Sequence, residues 1–109
     1  MTFNDYEEKM LTLRKYPDVG NNIVYPALGL AGEAGEVADK VKKVLRDAGG
    51  ILSKERRLAI AMEVGDVLWY VSAMANELGY SLTEVAEMNL NKLLDRSNRN
   101  MISGDGDNR

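Results

Sequence analysis

The sequence predicts an all-α fold, an antiparallel bundle of about four helices, on three observations. Apolar residues between the chain's breakers recur at steps of three and four rather than alternating. Proline occurs only at positions 17 and 26, near expected helix ends. The runs PDVGNN, Gly49–Gly50 and Gly79 interrupt the periodic stretches where turns are needed.

The first helix is expected over 2–16. It begins at Thr2, puts Phe3, Tyr6, Met10, Leu13 and Tyr16 on one side, and stops at Pro17. The second, 23–48, can be capped by Asn22 and tolerates Pro26 in its first turn. Its apolar stripe runs through Ala27, Leu30, Ala31, Ala34, Val37, Ala38, Val41, Val44 and Leu45. Gly49 and Gly50 supply a left-handed C-cap. Ser53 caps the third helix, 53–78, which ends at Gly79. Ser81 with Glu84 forms a capping box for the fourth, through about Arg99, with Leu82, Val85, Ala86, Met88 or Asn89, Leu93 and Leu94 facing inward.

At 109 residues the chain holds one domain with one core, expected over 1–103, followed by a polar tail, 104–109. Apolar residues make up 45% and charged residues 28%, a soluble globular composition. A net charge of −3 and the lack of a basic stripe argue against nucleic acid as the main partner. The acidic N-terminus MTFNDYEEKM does not read as a signal peptide, so a cytoplasmic protein without a membrane partner is expected. There is no cysteine and no histidine. Thiolate chemistry, zinc sites and the Glu-x-x-His pattern of di-iron bundles are thereby disfavoured. Carboxylates, lysines and tyrosines remain, a set suited to a hard cation such as Mg2+, with Mn2+ as a substitute.

Two carboxylate pairs carry the chemistry. From Ala59 to Ala75 the third helix reads AIAMEVGDVLWYVSAMA, with Glu63 and Asp66 its only charges. A helix apolar nearly all round is expected to be covered on most sides, where two acids need a cationic partner. Residues three apart on a helix lie about 60° from each other, so Glu63 and Asp66 share a face that Tyr70 extends. In GEAGEVADK, Glu33 and Glu36 repeat that spacing on the second helix, with Lys40 one turn on. Taken alone, this second pair reads as a solvated face with a Glu36–Lys40 pair of a few tenths of a kcal/mol. Glu63 and Asp66 can likewise be read as structural partners of Arg56, Arg57 or a lysine. If the short Gly-Gly connection makes the two helices antiparallel, however, the acid pairs meet, and convergence of four carboxylates calls for metal. Gly32 and Gly35 then fit as positions where a neighbouring helix or a triphosphate comes close.

The pattern G-L-A-G-E-A-G-E-V-A-D-K followed by E-V-G-D-V-L-W-Y resembles the MazG-like members of the all-α nucleoside triphosphate pyrophosphohydrolase superfamily. Their signature is E-E-x-x-E, a spacer, then E-x-x-D. Glu33, Glu36, Glu63 and Asp66 match it, whereas Gly32 stands where the doubled motif has its first glutamate. The resemblance covers roughly 23–96. It implies Mg2+-dependent hydrolysis of a nucleoside triphosphate to the monophosphate and pyrophosphate in nucleotide-pool control. It also implies metal ligation by those four acids, a dimer or tetramer, and Tyr70, Asn89 and Lys92 facing the phosphates.

Phosphoryl transfer by water needs cations, a positioned water and a stabilised leaving group. Glu36 is the candidate general base in place of the missing histidine. Lys40 and Lys92 are candidates for the pyrophosphate. Trp69 reads as core or subunit interface, with base stacking the sharper option. The tail GDGDNR, with Asp105, Asp107, Asn108 and Arg109, reads as a frayed end or a flap over bound nucleotide. The alternative from another class is a non-catalytic interaction or regulatory module of the same fold, which Gly32 keeps open.

Overall fold

The computed structural model describes residues 1–99, so the tail of the chain, including Asp105 to Arg109, lies outside the described residues. It contains α1 (Phe3–Leu13), α2 (Val24–Ala48), α3 (Lys54–Glu77) and α4 (Leu82–Asn98), and no strand among the described residues.

Local capping sets most of the boundaries. Thr2 Oγ accepts the Asp5 N–H at 3.1 Å while the Asp5 carboxylate accepts the Thr2 N–H, a closed capping box. Asn22 Oδ1 accepts the N–H groups of Val24 and Tyr25 at 3.1 and 3.0 Å, and Pro26 lies buried in the first turn of α2. Gly49 takes a left-handed φ of 60° after α2, and the Gly50 N–H reaches the Val44 carbonyl at 3.0 Å. Ser53 caps α3 through the Arg56 N–H, and Ser81 with Glu84 closes a box on α4. Tertiary contacts add to these. The Glu7 carboxylate of α1 accepts the Leu82 N–H, and Thr83 donates to Asn4, pinning α1 to the start of α4.

α1 ends earlier than expected. Arg14, three residues ahead of Pro17, is already extended at φ −70°, ψ 125°. Leu13 is therefore exposed and Phe3 nearly half so, whereas Tyr16 is buried beyond the helix. Its hydroxyl donates to Glu77 at 2.7 Å and its ring stacks on Tyr25 with centroids 5.0 Å apart. The same Glu77 carboxylate accepts the N–H groups of Gly20 and Asn22, at 2.7 and 3.1 Å. One acid at the end of α3 thus holds the whole connection into α2.

α2 and α3 form a long antiparallel hairpin, while α1 and α4 pack on α3 and on each other, and among the described residues α2 packs on no other helix. The bundle is consequently open. Met10, Tyr16, Val44, Ala73, Ala75 and Leu82 form the buried apolar set. The expectation that α3 is covered on most sides is corrected: only Ser72, Ala73 and Ala75 are buried, and Leu58 and Met62 are 64% and 67% exposed. Cover is concentrated at its C-terminal end, and the earlier turns have α2 on one side. The stripe on α2 is open in the same way, with Leu45 exposed and Val44 buried. On α4, Leu82 is buried but Met88 and Leu94 are exposed. By length and composition alone α3 is long and apolar enough to cross a membrane, at a mean hydropathy of 1.4. The radius of gyration, 16.7 Å, exceeds the roughly 13 Å of a compact chain this long.

Candidate metal centre

The antiparallel hairpin brings Glu33 of α2 beside Asp66 and Glu63 of α3. One carboxylate oxygen from each of these three lies within 4.8 Å of the others. Glu33 and Glu63 are half-buried and Asp66 is exposed, so the strong desolvation expected for both α3 acids is not supplied within one chain. The electrostatics still register the crowding. Glu33 is pushed above its ordinary value, first by desolvation and then by the charges of Asp66, Glu63 and Glu36. Three carboxylates with oxygens this close could hold a metal ion, and an all-oxygen donor set suits a hard cation over a soft one.

Glu36 projects one turn beyond Glu33; its charge reaches Glu33, but its carboxylate is not part of the trio. Lys40 pairs across the hairpin with Glu63, Nζ to Oε1 at 3.5 Å, in place of the Glu36–Lys40 pair open to it on α2.

Tyr70 extends the acidic face, as its spacing requires. Its ring lies directly on the α2 backbone at Gly29, where an added Cβ would meet the ring carbons. The glycine that admits a neighbouring helix is therefore Gly29. A Cβ added at Gly32 or Gly35 would meet nothing within 4 Å, which corrects the expectation that a helix of this chain approaches there. Those two glycines flank Glu33 but open away from α3.

Aromatic residues close one end of the seam. Tyr70 meets Trp69 edge-to-face at 5.0 Å and Tyr25 at 6.5 Å with a 41° tilt. A cavity of about 240 Å³ lies among Glu33, Asp66, Trp69 and Tyr70. Burial raises the Tyr70 hydroxyl pKa, with Tyr25, Glu33 and Asp66 adding to it. Tyr6 of α1 is raised by burial and then by the charge of Asp66, so α1 lies within electrostatic reach of the acids. Sequence reasoning does not find Tyr6, Tyr25 or Gly29 as site residues. The two tyrosines carry no pattern that sets them apart from other helix residues, and the one signal at Gly29 is a glycine inside a helix. Asn89 and Lys92 are exposed on α4, a helix that makes no contact with α2, and neither lines the cavity beside the acids.

The family model of the MazG nucleotide pyrophosphohydrolase domain matches residues 26–101, a stretch that contains all four acids of the two pairs. The chain is also 48% identical over 99 residues to the "Gene 37 protein" of Mycobacterium phage L5, covering 86% of this chain and 87% of that protein. No solved structure matches.

Proposed function

The chain belongs to the MazG nucleotide pyrophosphohydrolase family, and from that premise we propose that it hydrolyses nucleoside triphosphates, dNTPs or non-standard nucleotides included, to the monophosphate and pyrophosphate with Mg2+. Mn2+ would substitute. The observation that carries the proposal is the trio Glu33, Glu63 and Asp66, with oxygens within 4.8 Å, on the hairpin that the family model spans.

Glu33, Glu63 and Asp66 hold the cation in this proposal, and Glu36 joins them from the next turn of α2. A bound divalent ion supplies neutralisation of the phosphate oxygens at the reacting phosphorus. Glu36, exposed and outside the trio, has the freedom to accept the proton of the attacking water as general base. Tyr70, fixed in place by Gly29, Trp69 and Tyr25, donates its hydroxyl to a phosphate oxygen. Lys40, already paired to Glu63, stands ready to receive negative charge developing on the leaving group.

The exposed apolar turns of α3 and the open stripe of α2 support assembly into a homo-dimer or tetramer. Leu58, Met62 and Val64, each over half exposed, would be covered there. Asn89 and Lys92 of α4 are the further candidates for the substrate phosphates. The protein acts on a cytoplasmic nucleotide pool, without nucleic acid or membrane as its main partner. The test is a panel of common and modified (d)NTPs with Mg2+, read as pyrophosphate release. Release from at least one member supports the proposal; none from any member refutes it.

A further inference from the structure

Beyond the carboxylates the α2–α3 seam changes sign. On α2, Glu33, Glu36, Lys40 and Lys43 follow one another at steps of three and four, so they share a face. On α3, Asp66, Glu63, Ile60 and Arg56 do the same in the opposite direction. The antiparallel hairpin therefore runs from Tyr70 and Trp69, through the acids, to a cationic end. That end is hollow: a cavity of about 130 Å³ is lined by Lys40, Lys43 and Arg56 above an apolar floor of Ala59 and Ile60. It would hold about four waters at liquid density, room enough for a phosphoryl group.

The three cations differ in how they are committed. Lys40 is shared with Glu63 at 3.5 Å, and Lys43 with Asp39 at 2.8 Å. Arg56 is half-buried in the first turn of α3 and makes no ion pair among the described residues. Its side chain lines the cavity, and the Asp47 carboxyl, lowered first by its bonds to Arg46, also feels the Arg56 charge. An unpaired guanidinium flanked by two ammonium groups suits a polyanion presenting several oxygens at once.

We propose that the cavity between Lys40, Lys43 and Arg56 is a subsite for the terminal phosphates of the substrate and for the pyrophosphate product. The inference rests on the nucleotide-hydrolase reading above and gives it a direction. The nucleoside lies toward Trp69 and Tyr70, the reacting phosphorus over the acids, and the leaving group toward Arg56. Arg56 and Lys43 thereby become determinants of triphosphate over monophosphate binding.

The experiment is calorimetric titration of the full-length protein with pyrophosphate in the presence of Mg2+, comparing wild type, Arg56→Ala, Arg56→Lys, Lys43→Ala and the control Lys42→Ala. Circular dichroism verifies the fold of each. Lys42 pairs with Asp39 but does not line the cavity. Loss of a charge-assisted contact corresponds to about tenfold weaker binding or more. Arg56→Ala is expected to show that loss, Arg56→Lys to recover part of it, and Lys42→Ala to stay within about twofold of wild type. Pyrophosphate binding that is absent in wild type, or unchanged in both Arg56→Ala and Lys43→Ala, overturns the subsite. So does a change in oligomer mass with unchanged pyrophosphate binding, which would assign the cations to a second copy. If pyrophosphate binds through Arg56 but no nucleotide is cleaved, the hydrolase reading fails and the subsite stands. If nucleotides are cleaved with an unaltered KM in Arg56→Ala, the converse holds.

Discussion

Gly29→Ala offers a sharp test of how Tyr70 is positioned. An added Cβ would stand 2.5 Å from Tyr70 Cδ1, with Cε1 and Cζ nearer still, so the ring must move. Ring displacement is hindered by Trp69 at 5.0 Å and Tyr25 at 6.5 Å. Overpacking of this kind costs about 1–3 kcal/mol. Alanine also gains about 1 kcal/mol of helix propensity over glycine. Gly32→Ala supplies the reference, because nothing lies within 4 Å of its added methyl and the propensity gain stands alone. Gly32→Ala should therefore raise stability by about 1 kcal/mol, and Gly29→Ala should fall below it by about 1–3 kcal/mol. Urea unfolding at one fixed protein concentration reads the gap, which at a typical slope is a midpoint difference of roughly 1 M. In a Tyr70→Ala background the gap should close. If Gly29→Ala stabilises as much as Gly32→Ala with Tyr70 present, the packing of Tyr70 on α2 is wrong, and so is its placement beside Glu33 and Asp66.

Other predictions concern the acids and the connection they hold. Glu77→Gln leaves one oxygen to accept three hydrogen bonds and should cost about 1–3 kcal/mol in urea unfolding at pH 7. Burial alone would raise Glu77, but the bonds from Asn22, Tyr16 and Gly20 together hold it below its ordinary 4.5. The advantage of wild type over Glu77→Gln is thus present above pH 4.5 and should fade as pH drops through the depressed folded-state value; an unchanged gap at acid pH contradicts this. Glu33 has the opposite sign. Its raised value means that metal-free protein gains stability, relative to Glu33→Gln, as pH falls toward 4.5. Saturating Mg2+ should reverse that trend in thermal melts, since ligation requires the ionised form. Asn22→Ala removes the cap on the Val24 and Tyr25 N–H groups and should cost about 0.5–2 kcal/mol by the same unfolding assay.

Features of the fold that depend on neighbours in sequence were legible. Thr2, Asn22, Ser53 and the Ser81–Glu84 box mark helix starts through bonds spanning at most three residues, and Gly49 marks a stop through its own φ. The two acid pairs were legible for the same reason, since a spacing of three fixes a common face. What depended on register was not. Glu77 reaches Tyr16 across 61 positions, and the choice of Gly29 rather than Gly32 or Gly35 follows from which of them faces α3. Lys40 took Glu63 over Glu36 because the hairpin set an acid opposite it. The apolar run of α3 predicted cover on most sides, but its N-terminal half stays open within one chain.

The central claim is that the carboxylates of the α2–α3 seam hold the divalent ion needed to split a nucleoside triphosphate between its α- and β-phosphates. A Mg2+ titration of product formation, separating pyrophosphate from orthophosphate, tests it most directly in wild type and Glu63→Gln at matched helicity. Wild type should release pyrophosphate and monophosphate in proportion to Mg2+ occupancy, and Glu63→Gln should release neither at any Mg2+ concentration. Metal-independent release, orthophosphate as the product, or full activity in Glu63→Gln would contradict the account.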